Sequence, residues 1–217
     1  YFPKKNEVNL LSLNKISSFL KKKNIKLIIN CAAIARMKEC EKKKINAFNV
    51  NVIGTLNIVK SVYKINPDIK VIHISSDAVY PSKKGNYKEK SRLNSYNFYG
   101  FTKILSEKVI LNLKNYMIIR TRFFDKKKIP FTHSATDSFS SSIEINKLAI
   151  NIKKLIKKKF KGIINVGEKR ISDYDLYKKF KKKIKKCKRS DIQKELEFEI
   201  SKDASLNCQL LKKVLND

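Results

Sequence analysis

The stretch Lys70–Tyr80 reads KVIHISSDAVY. It begins as a short apolar run and then changes abruptly to two serines and an aspartate. An apolar run of this length without polar alternation is typical of a strand that is covered on both faces of a parallel sheet. We therefore predict a buried strand at Lys70–Ile74. Polar side chains that directly follow such a strand lie at the sheet edge where α/β proteins bind ligands, which makes Ser75, Ser76 and Asp77 candidate functional residues.

Runs of the same kind recur along the chain and alternate with segments of helical period. This alternation predicts an α/β fold, with a Rossmann-like, doubly wound parallel sheet and helices on both faces. The further predicted strands are Lys26–Asn30, Tyr116–Arg120, Gly162–Val166 and Glu197–Ile200. The predicted helices are Ile16–Leu20, Ala47–Tyr63, Phe98–Leu113, Ile143–Ile156, Ser172–Ile184 and Asn207–Leu215.

The pattern changes character after Phe124. The segment Asp125–Phe139 has no clear period, contains Pro130 and is rich in Ser and Thr. We predict a nucleotide-binding core at residues 1–125 and a smaller substrate-binding lobe at residues 126–217, partly interleaved with the core.

Composition limits the classes of function. The chain carries 50 Lys and Arg against 19 Asp and Glu, a formal net charge of +31, but the lysines are spread in short runs along its whole length. We interpret this excess as compositional drift on a solvated surface rather than as a specific nucleic-acid site, because no zinc-finger spacing or RNP-type motif accompanies it. The four cysteines form no CxxC pair, which favours reduced thiols in a cytoplasmic protein and no metal site. No apolar run reaches the length of a membrane span.

A tyrosine and a lysine four positions apart, Tyr99 and Lys103, lie within the predicted helix Phe98–Leu113. This spacing places both side chains on one helix face. A neighbouring ammonium lowers the pKa of a phenol and makes it a usable proton donor. Since Ser76 follows a strand that ends at the same sheet edge, its hydroxyl can hold a carbonyl oxygen while the phenol protonates it.

The sequence also resembles a known family. Its motifs are Asn30-Cys-Ala-Ala33, Asn51-Val-Ile-Gly54-Thr-Leu-Asn57, Ser75-Ser-Asp-Ala-Val-Tyr80 and Asn97-Phe-Tyr-Gly-Phe-Thr-Lys103. In this order they resemble the extended short-chain dehydrogenase/reductases, and within them the dTDP-4-dehydrorhamnose reductases and related sugar-nucleotide oxidoreductases. The resemblance spans nearly the whole chain.

The resemblance implies an enzyme that moves hydride from NADP or NAD to a nucleotide-linked 4-keto sugar during polysaccharide synthesis. It implies that Tyr99 is the general acid/base, that Lys103 lowers the pKa of Tyr99 and binds the cofactor ribose, and that Ser76 binds the substrate oxygen. Further residues are expected around the cleft. These are Cys31, Ala32, Ala33, Asn51 and Ser75 on the cofactor side, and Asp77, Tyr80, Arg122 and Lys202 on the substrate side.

Departures from the family pattern leave alternatives open. The five glycines form no GxxGxxG turn, and Tyr1 enters where the family's second strand would have ended. We expect a missing piece on the order of 30 or more residues, the size of a βαβ unit, and favour an incomplete sequence over a truncated protein. An epimerase, a dehydratase or a binding-only relative also fits these residues. A homodimer is likewise compatible with the sequence. Arg122, the segment Asp137–Ser142 and Lys202 differ from the family's usual residues, which leaves the sugar undetermined.

Overall fold

The computed structural model describes residues 1–4 and 6–216. The helices are α1 Leu13–Lys22, α2 Met37–Lys42, α3 Lys44–Phe48, α4 Gly54–Ile65, α5 Phe98–Ile110, α6 Ile145–Lys157, α7 Asp173–Lys178, α8 Arg189–Lys194 and α9 Gln209–Asn216. The strands are β1 Leu27–Asn30, β2 Lys70–Ile74, β3 Tyr116–Arg120, β4 Phe123–Phe124, β5 His133–Ala135, β6 Phe139–Ser140, β7 Ile143–Glu144, β8 Gly162–Asn165, β9 Ile171–Ser172 and β10 Lys185–Cys187.

A parallel sheet of four strands forms the centre of the molecule, in the order β1–β2–β3–β8. The bounds of β2 and β3 coincide with the predicted strands. Helices α1, α4 and α5 pack on one face, around Val71 and Ile118, and α6 and α9 pack on the other, around Ile72. Strands β2 and β3 are therefore covered on both sides, as their unbroken apolar sequences require, and the predicted α/β class is confirmed.

One edge of this sheet is open. Strand β1 pairs with β2, and no other strand in the part of the chain that the structure describes pairs with it. Ile29, in the middle of β1, is 45% exposed. An unpaired strand edge presents backbone N–H and C=O groups that can pair with further chain.

Three small two-stranded sheets lie outside the central sheet. Strand β4 pairs with β7, β5 with β10, and β6 with β9. Between these pairings the chain passes through α6 and β8, and β8 belongs to the central sheet. The segment after residue 125 therefore contributes to the small sheets and to the central sheet. The proposed boundary at residue 125 stays a prediction. Among the described residues, no helix is long and apolar enough to cross a membrane.

Two predicted elements are wrong. The basic helix expected over Ser172–Ile184 ends at Lys178, and the chain turns so that β10 can pair with β5. Lys181 holds this turn by donating from Nζ to the carbonyls of Ile129 and Phe131. Continuing the helix would also stack like charges one turn apart, which is unfavourable.

The expected strand at Glu197–Ile200 is an irregular segment instead. The side chain of Gln193 organises it, since its amide donates to the carbonyl of Phe198 and accepts from the N–H of Ile200. The segment's backbone groups are thus bonded locally rather than in a sheet.

Candidate active site

The ends of β2 and β3 bring the first group of site residues together. The N–H of Ser75 donates to the carbonyl of Ile119 at 2.7 Å, and the N–H of Asp77 donates to the carbonyl of Thr121 at 3.3 Å. The two chains therefore remain bonded beyond their strands. This contact fixes the Ser76–Asp77 segment at the carboxyl edge of the sheet, where the sequence predicted it.

Tyr99 lies in the first turn of α5, directly beside this segment. Asn97 caps the helix by accepting from the N–H of Gly100 at 2.8 Å. Ser76 opens a short 3-10 turn and accepts from the N–H of Ala78 at 3.1 Å. The Ser76 hydroxyl also lies close enough to the Tyr99 phenol to lower its pKa, so two of the three predicted catalytic side chains are neighbours.

Gly100 allows that contact. A Cβ at this position would overlap the carbonyl oxygen of Ala78 and crowd the side chain of Ser95. The absence of a side chain therefore lets α5 approach the turn that carries Ser76. In the sequence, Gly100 is recognisable only as part of a motif, and nothing in the local pattern indicates this packing role.

We expect Gly100→Ala to push α5 away from the Ser76 turn. Overpacking of this kind typically costs about 1–3 kcal/mol of unfolding free energy, and separation of Ser76 from Tyr99 should also lower any activity of the site. Urea unfolding checks the first effect and steady-state kinetics the second. Lys108→Ala, on the exposed side of the same helix, is the control and should leave both unchanged. Native stability and activity in the Gly100 variant would contradict the packing role.

The pKa of Tyr99 differs from the expectation. Burial raises it to about 12; Asp77 and Cys40 raise it further, while Ser76 and Arg122 lower it. Lys103 is not among the groups that perturb it, so the lowering predicted from the Tyr–Lys spacing is not found. The phenol consequently stays protonated near neutral pH, which suits a proton donor.

Lys103 is buried, and its Nζ lies against a histidine rather than against the phenol. Its Nζ is 3.1 Å from Nε2 of His73. Burial lowers the pKa of Lys103 to about 8, although Glu107 and Cys31 act in the opposite direction. A single histidine in an apolar strand carries no local signal, so this contact could not be predicted from the sequence.

The loop after β1 forms the side of the cleft where a nicotinamide cofactor is expected. Cys31 and Ala32 are exposed and Ala33 is half-buried. Their side chains are small. Among the described residues, His73 is the one side chain within hydrogen-bond distance of Lys103 Nζ. A ribose hydroxyl at this position would supply an acceptor, so these residues fit the nicotinamide–ribose half of a dinucleotide.

Asn51 positions that loop. It lies in a one-turn π-helix, Asn49–Ile53, and is 1% exposed. Its amide accepts from the N–H of Ile34 at 2.8 Å and donates to the carbonyl of Ile34 and to Thr102 on α5. Because these contacts use the whole amide, we assign Asn51 to holding the cofactor-side loop on α5 rather than to direct cofactor contact.

Two predicted site residues lie in the core instead. Ser75 donates to the carboxylate of Glu107, and the ring of Tyr80 is fully buried and stacked on Tyr87. The Tyr80 hydroxyl contacts Arg120, which forms a buried ion pair with Glu107 at 2.7 Å. Neither side chain reaches the cleft, so the structure corrects the expected cofactor contact of Ser75 and the expected substrate contact of Tyr80.

On the substrate side, Arg122 joins the core to the lobe. Its Nε lies 2.7 Å from Oδ2 of Asp77, and its Nη2 donates to Ser201 at 3.2 Å. Asp173, at the start of α7, lies 4.0 Å from Nη1. Burial raises the pKa of Asp77, and Arg122 partly offsets this shift. The guanidinium is thus already bonded by the protein, while Lys202 is exposed and its predicted substrate contact stays a prediction.

Sequence reasoning missed several residues of this junction. Tyr96 has a buried hydroxyl, and burial raises its pKa; Arg122 and Asp77 perturb it from close by. Asp173 accepts from Ser138 at 2.9 Å. Asp173 is also the first residue of α7, directly after the N-cap residue Ser172. Its second role depends on contacts between distant segments, for which the local sequence holds no signal.

Comparisons with known proteins agree with this geometry. A sequence model described as the RmlD substrate binding domain matches residues 1–143. The curated methionine adenosyltransferase 2 subunit beta of Bos taurus is 33% identical over 109 residues, which are 50% of this chain and 32% of that protein. The chain spans about a third of the length of the curated relatives it matches.

Solved structures match over a larger share. A hypothetical dTDP-4-dehydrorhamnose reductase from Sulfolobus tokodaii has a TM-score of 0.82 and 30% identity, covering 96% of this chain and 80% of that one. The dTDP-4-dehydrorhamnose reductase of Bacillus anthracis, solved in complex with NADP, has a TM-score of 0.87 and 20% identity, covering 98% and 83%. At that identity the second likeness establishes the fold alone.

Proposed function

This chain belongs to the RmlD substrate binding domain family, and from that membership we propose that it is a nicotinamide-dependent reductase of a nucleotide-activated 4-keto-deoxysugar. One observation carries the proposal: the Ser76 hydroxyl and the Tyr99 phenol lie side by side at the carboxyl edge of the sheet. The likeness to the hypothetical dTDP-4-dehydrorhamnose reductase of Sulfolobus tokodaii, at 30% identity, supports this choice of substrate.

The reaction is a carbonyl reduction. Ser76 donates a hydrogen bond to the keto oxygen and holds it beside Tyr99. The phenol, whose pKa is raised, transfers its proton to that oxygen as the carbonyl carbon becomes an alcohol carbon. A bound nicotinamide cofactor supplies the hydride. The phenolate left on Tyr99 is then reprotonated from the cleft, and a positively charged Lys103 one helical turn away stabilises it.

The chain's own residues also account for part of cofactor binding. We assign the nicotinamide–ribose side to Cys31, Ala32, Ala33 and Lys103, with Asn51 holding the loop. The sequence contains no Gly-rich turn, and we assign no residue here to the pyrophosphate. The titration described below distinguishes between NADP and NAD.

The test is a titration of this chain with NADPH and NADH, followed by turnover with a dTDP-4-keto-6-deoxyhexose. Oxidation of one cofactor molecule for each sugar reduced would support the reductase. Conversion of the sugar without net cofactor oxidation would instead indicate an epimerase or dehydratase and would overturn the proposed reaction.

A second candidate is a binding subunit without turnover, which the likeness to the bovine subunit beta favours. It predicts saturable binding of dinucleotide or sugar nucleotide and no conversion of either. The Ser76 hydroxyl beside the Tyr99 phenol argues for the reductase, because a binding subunit does not need this pair.

A further inference from the structure

The contact between Lys103 and His73 has no role in the reaction described above. Both side chains are almost completely buried, at 1% and 0% exposure. His73 occupies the middle of the apolar strand β2, and its Nε2 lies 3.1 Å from Nζ of Lys103. A polar ring buried at this depth is unfavourable unless its nitrogens are bonded, so the partners of each nitrogen determine what the ring can do.

The partner of Nδ1 is Asn30, at the end of β1. The Oδ1 of Asn30 accepts from the N–H of Ala32 at 3.2 Å, which directs the amide nitrogen towards the imidazole. That nitrogen lies 3.2 Å from Nδ1 of His73 and is a donor only. Nδ1 must therefore accept, and in a neutral ring the hydrogen is then on Nε2.

The second partner of Nε2 supports the same tautomer. Ser106 Oγ lies 3.0 Å from Nε2 and donates its own hydrogen to the carbonyl of Lys103 at 2.9 Å. With its hydrogen used, Ser106 can only accept from the imidazole. The Nε2–H of His73 therefore points into the space between Ser106 and Lys103.

A hydrogen in that position distinguishes the two states of Lys103. A neutral amine offers a lone pair to the Nε2–H, whereas an ammonium group opposes it with a further hydrogen and a positive charge. Burial is the main cause that lowers the pKa of His73 well below its ordinary value, and Lys103 lowers it further. The ring therefore stays neutral and does not take up a second proton.

We propose that His73 is the positioning residue for Lys103: its Nε2–H holds the neutral amine against β2, and protonation of the amine turns the resulting ammonium towards Tyr99 and the cleft. The arrangement explains why Lys103 leaves Tyr99 unperturbed in this structure. The use of the released ammonium during turnover rests on the proposed function, whereas the arrangement itself does not.

The groups that face Lys103 place the change near pH 8. Burial lowers the pKa of Lys103 to about 8, while Glu107 on α5 and Cys31 after β1 favour the charged form. Glu107 is itself paired with Arg120 on β3. Tyr99, one turn back on α5, has its pKa raised to about 12 and stays neutral through this range. Lys103 is therefore docked above about pH 8 and released below it.

The first test needs no variant of the site. The chain has two histidines, His73 and His133, so a ring ¹⁵N spectrum contains two imidazoles, and His133→Gln identifies the exposed one. We expect His73 to be neutral with the hydrogen on Nε2, and its shifts to change near pH 8 as Lys103 titrates. A hydrogen on Nδ1, or a cationic ring at neutral pH, would overturn the proposal.

The second test follows the ε-carbon of Lys103, identified by its loss in Lys103→Met. Its midpoint should lie near pH 8 and rise by about one pH unit in His73→Leu, because the neutral amine loses a hydrogen bond. His73→Gln, which offers an amide N–H, should recover most of the shift, and His133→Gln should show none.

An unchanged midpoint in a folded His73→Leu variant would overturn the proposal. Should that variant not fold, the ring spectrum of the unmodified chain still decides the tautomer. Neither measurement uses a substrate or a cofactor, so failure of the reductase assay and failure of this inference are separate results.

Discussion

Tyr99→Phe is expected to reduce turnover of the 4-keto sugar nucleotide by about 10²–10⁴-fold, the usual contribution of a positioned general acid. The substitution removes the one proton that the site can deliver to the keto oxygen and leaves the ring in place. Cofactor binding should change little, because the phenol contacts Ser76 rather than the loop after β1. Steady-state kinetics and a cofactor titration on the same preparation measure both effects.

Tyr116→Phe is the matched control, since it removes a phenol hydroxyl from the start of β3, away from the cleft. It should retain normal turnover. Retention of more than a tenth of the activity by the Tyr99 variant would show that another group protonates the product, and the assigned role would be wrong.

Arg120→Met is expected to lower the free energy of unfolding by about 3–5 kcal/mol, the cost of leaving one member of a buried ion pair without its partner. Arg120 is 2% exposed and bonds Glu107 through Nε and Nη2. It also donates to the Tyr80 hydroxyl and to the carbonyl of Glu89. The substitution therefore leaves a buried carboxylate without its counter-ion and removes donors from two further groups.

Urea unfolding measures this loss, and a double variant tests its cause. Arg120→Met with Glu107→Leu removes both charges and should recover a large part of the stability. Lys147→Met breaks the exposed pair with Glu168, in which Nζ and Oε1 lie 3.0 Å apart, and should cost less than about 1 kcal/mol. Equal losses of unfolding free energy in the Arg120 and Lys147 variants would contradict the view that burial makes the Arg120–Glu107 pair the more important one for stability.

The sequence was sufficient to predict the elements whose pattern is set by burial alone. Strands β2 and β3 are covered on both faces, so an unbroken apolar run specifies them. The Ser76–Tyr99 contact could also be predicted, because strand ends of a parallel sheet share an edge and α5 starts beside them. Both predictions depend on the local pattern of apolar residues and on the topology of a parallel sheet. The sequence displays both of these directly.

The parts that could not be predicted depend on contacts between distant residues. The direction of the Tyr99 pKa shift was wrong because spacing shows neither that the phenol is buried nor that His73 holds Lys103 away from it. Ser75 and Tyr80 were placed in the cleft because nothing in the local sequence reveals the buried pair of Glu107 and Arg120. The early end of α7 likewise depends on Lys181 reaching carbonyls some 50 residues earlier in the chain.

For the 217 residues taken by themselves, the open edge of β1 has a consequence in solution. Mutual repulsion from a net charge of +31 keeps copies apart at low ionic strength. Salt shortens the range of that repulsion to about 8 Å at physiological ionic strength and about 3 Å at 1 M. Concentrated salt should thus permit the exposed strands of two copies to meet. A buffer chosen to strip nucleic acid from a basic protein would here promote self-association, and dilute buffer would be the better solvent.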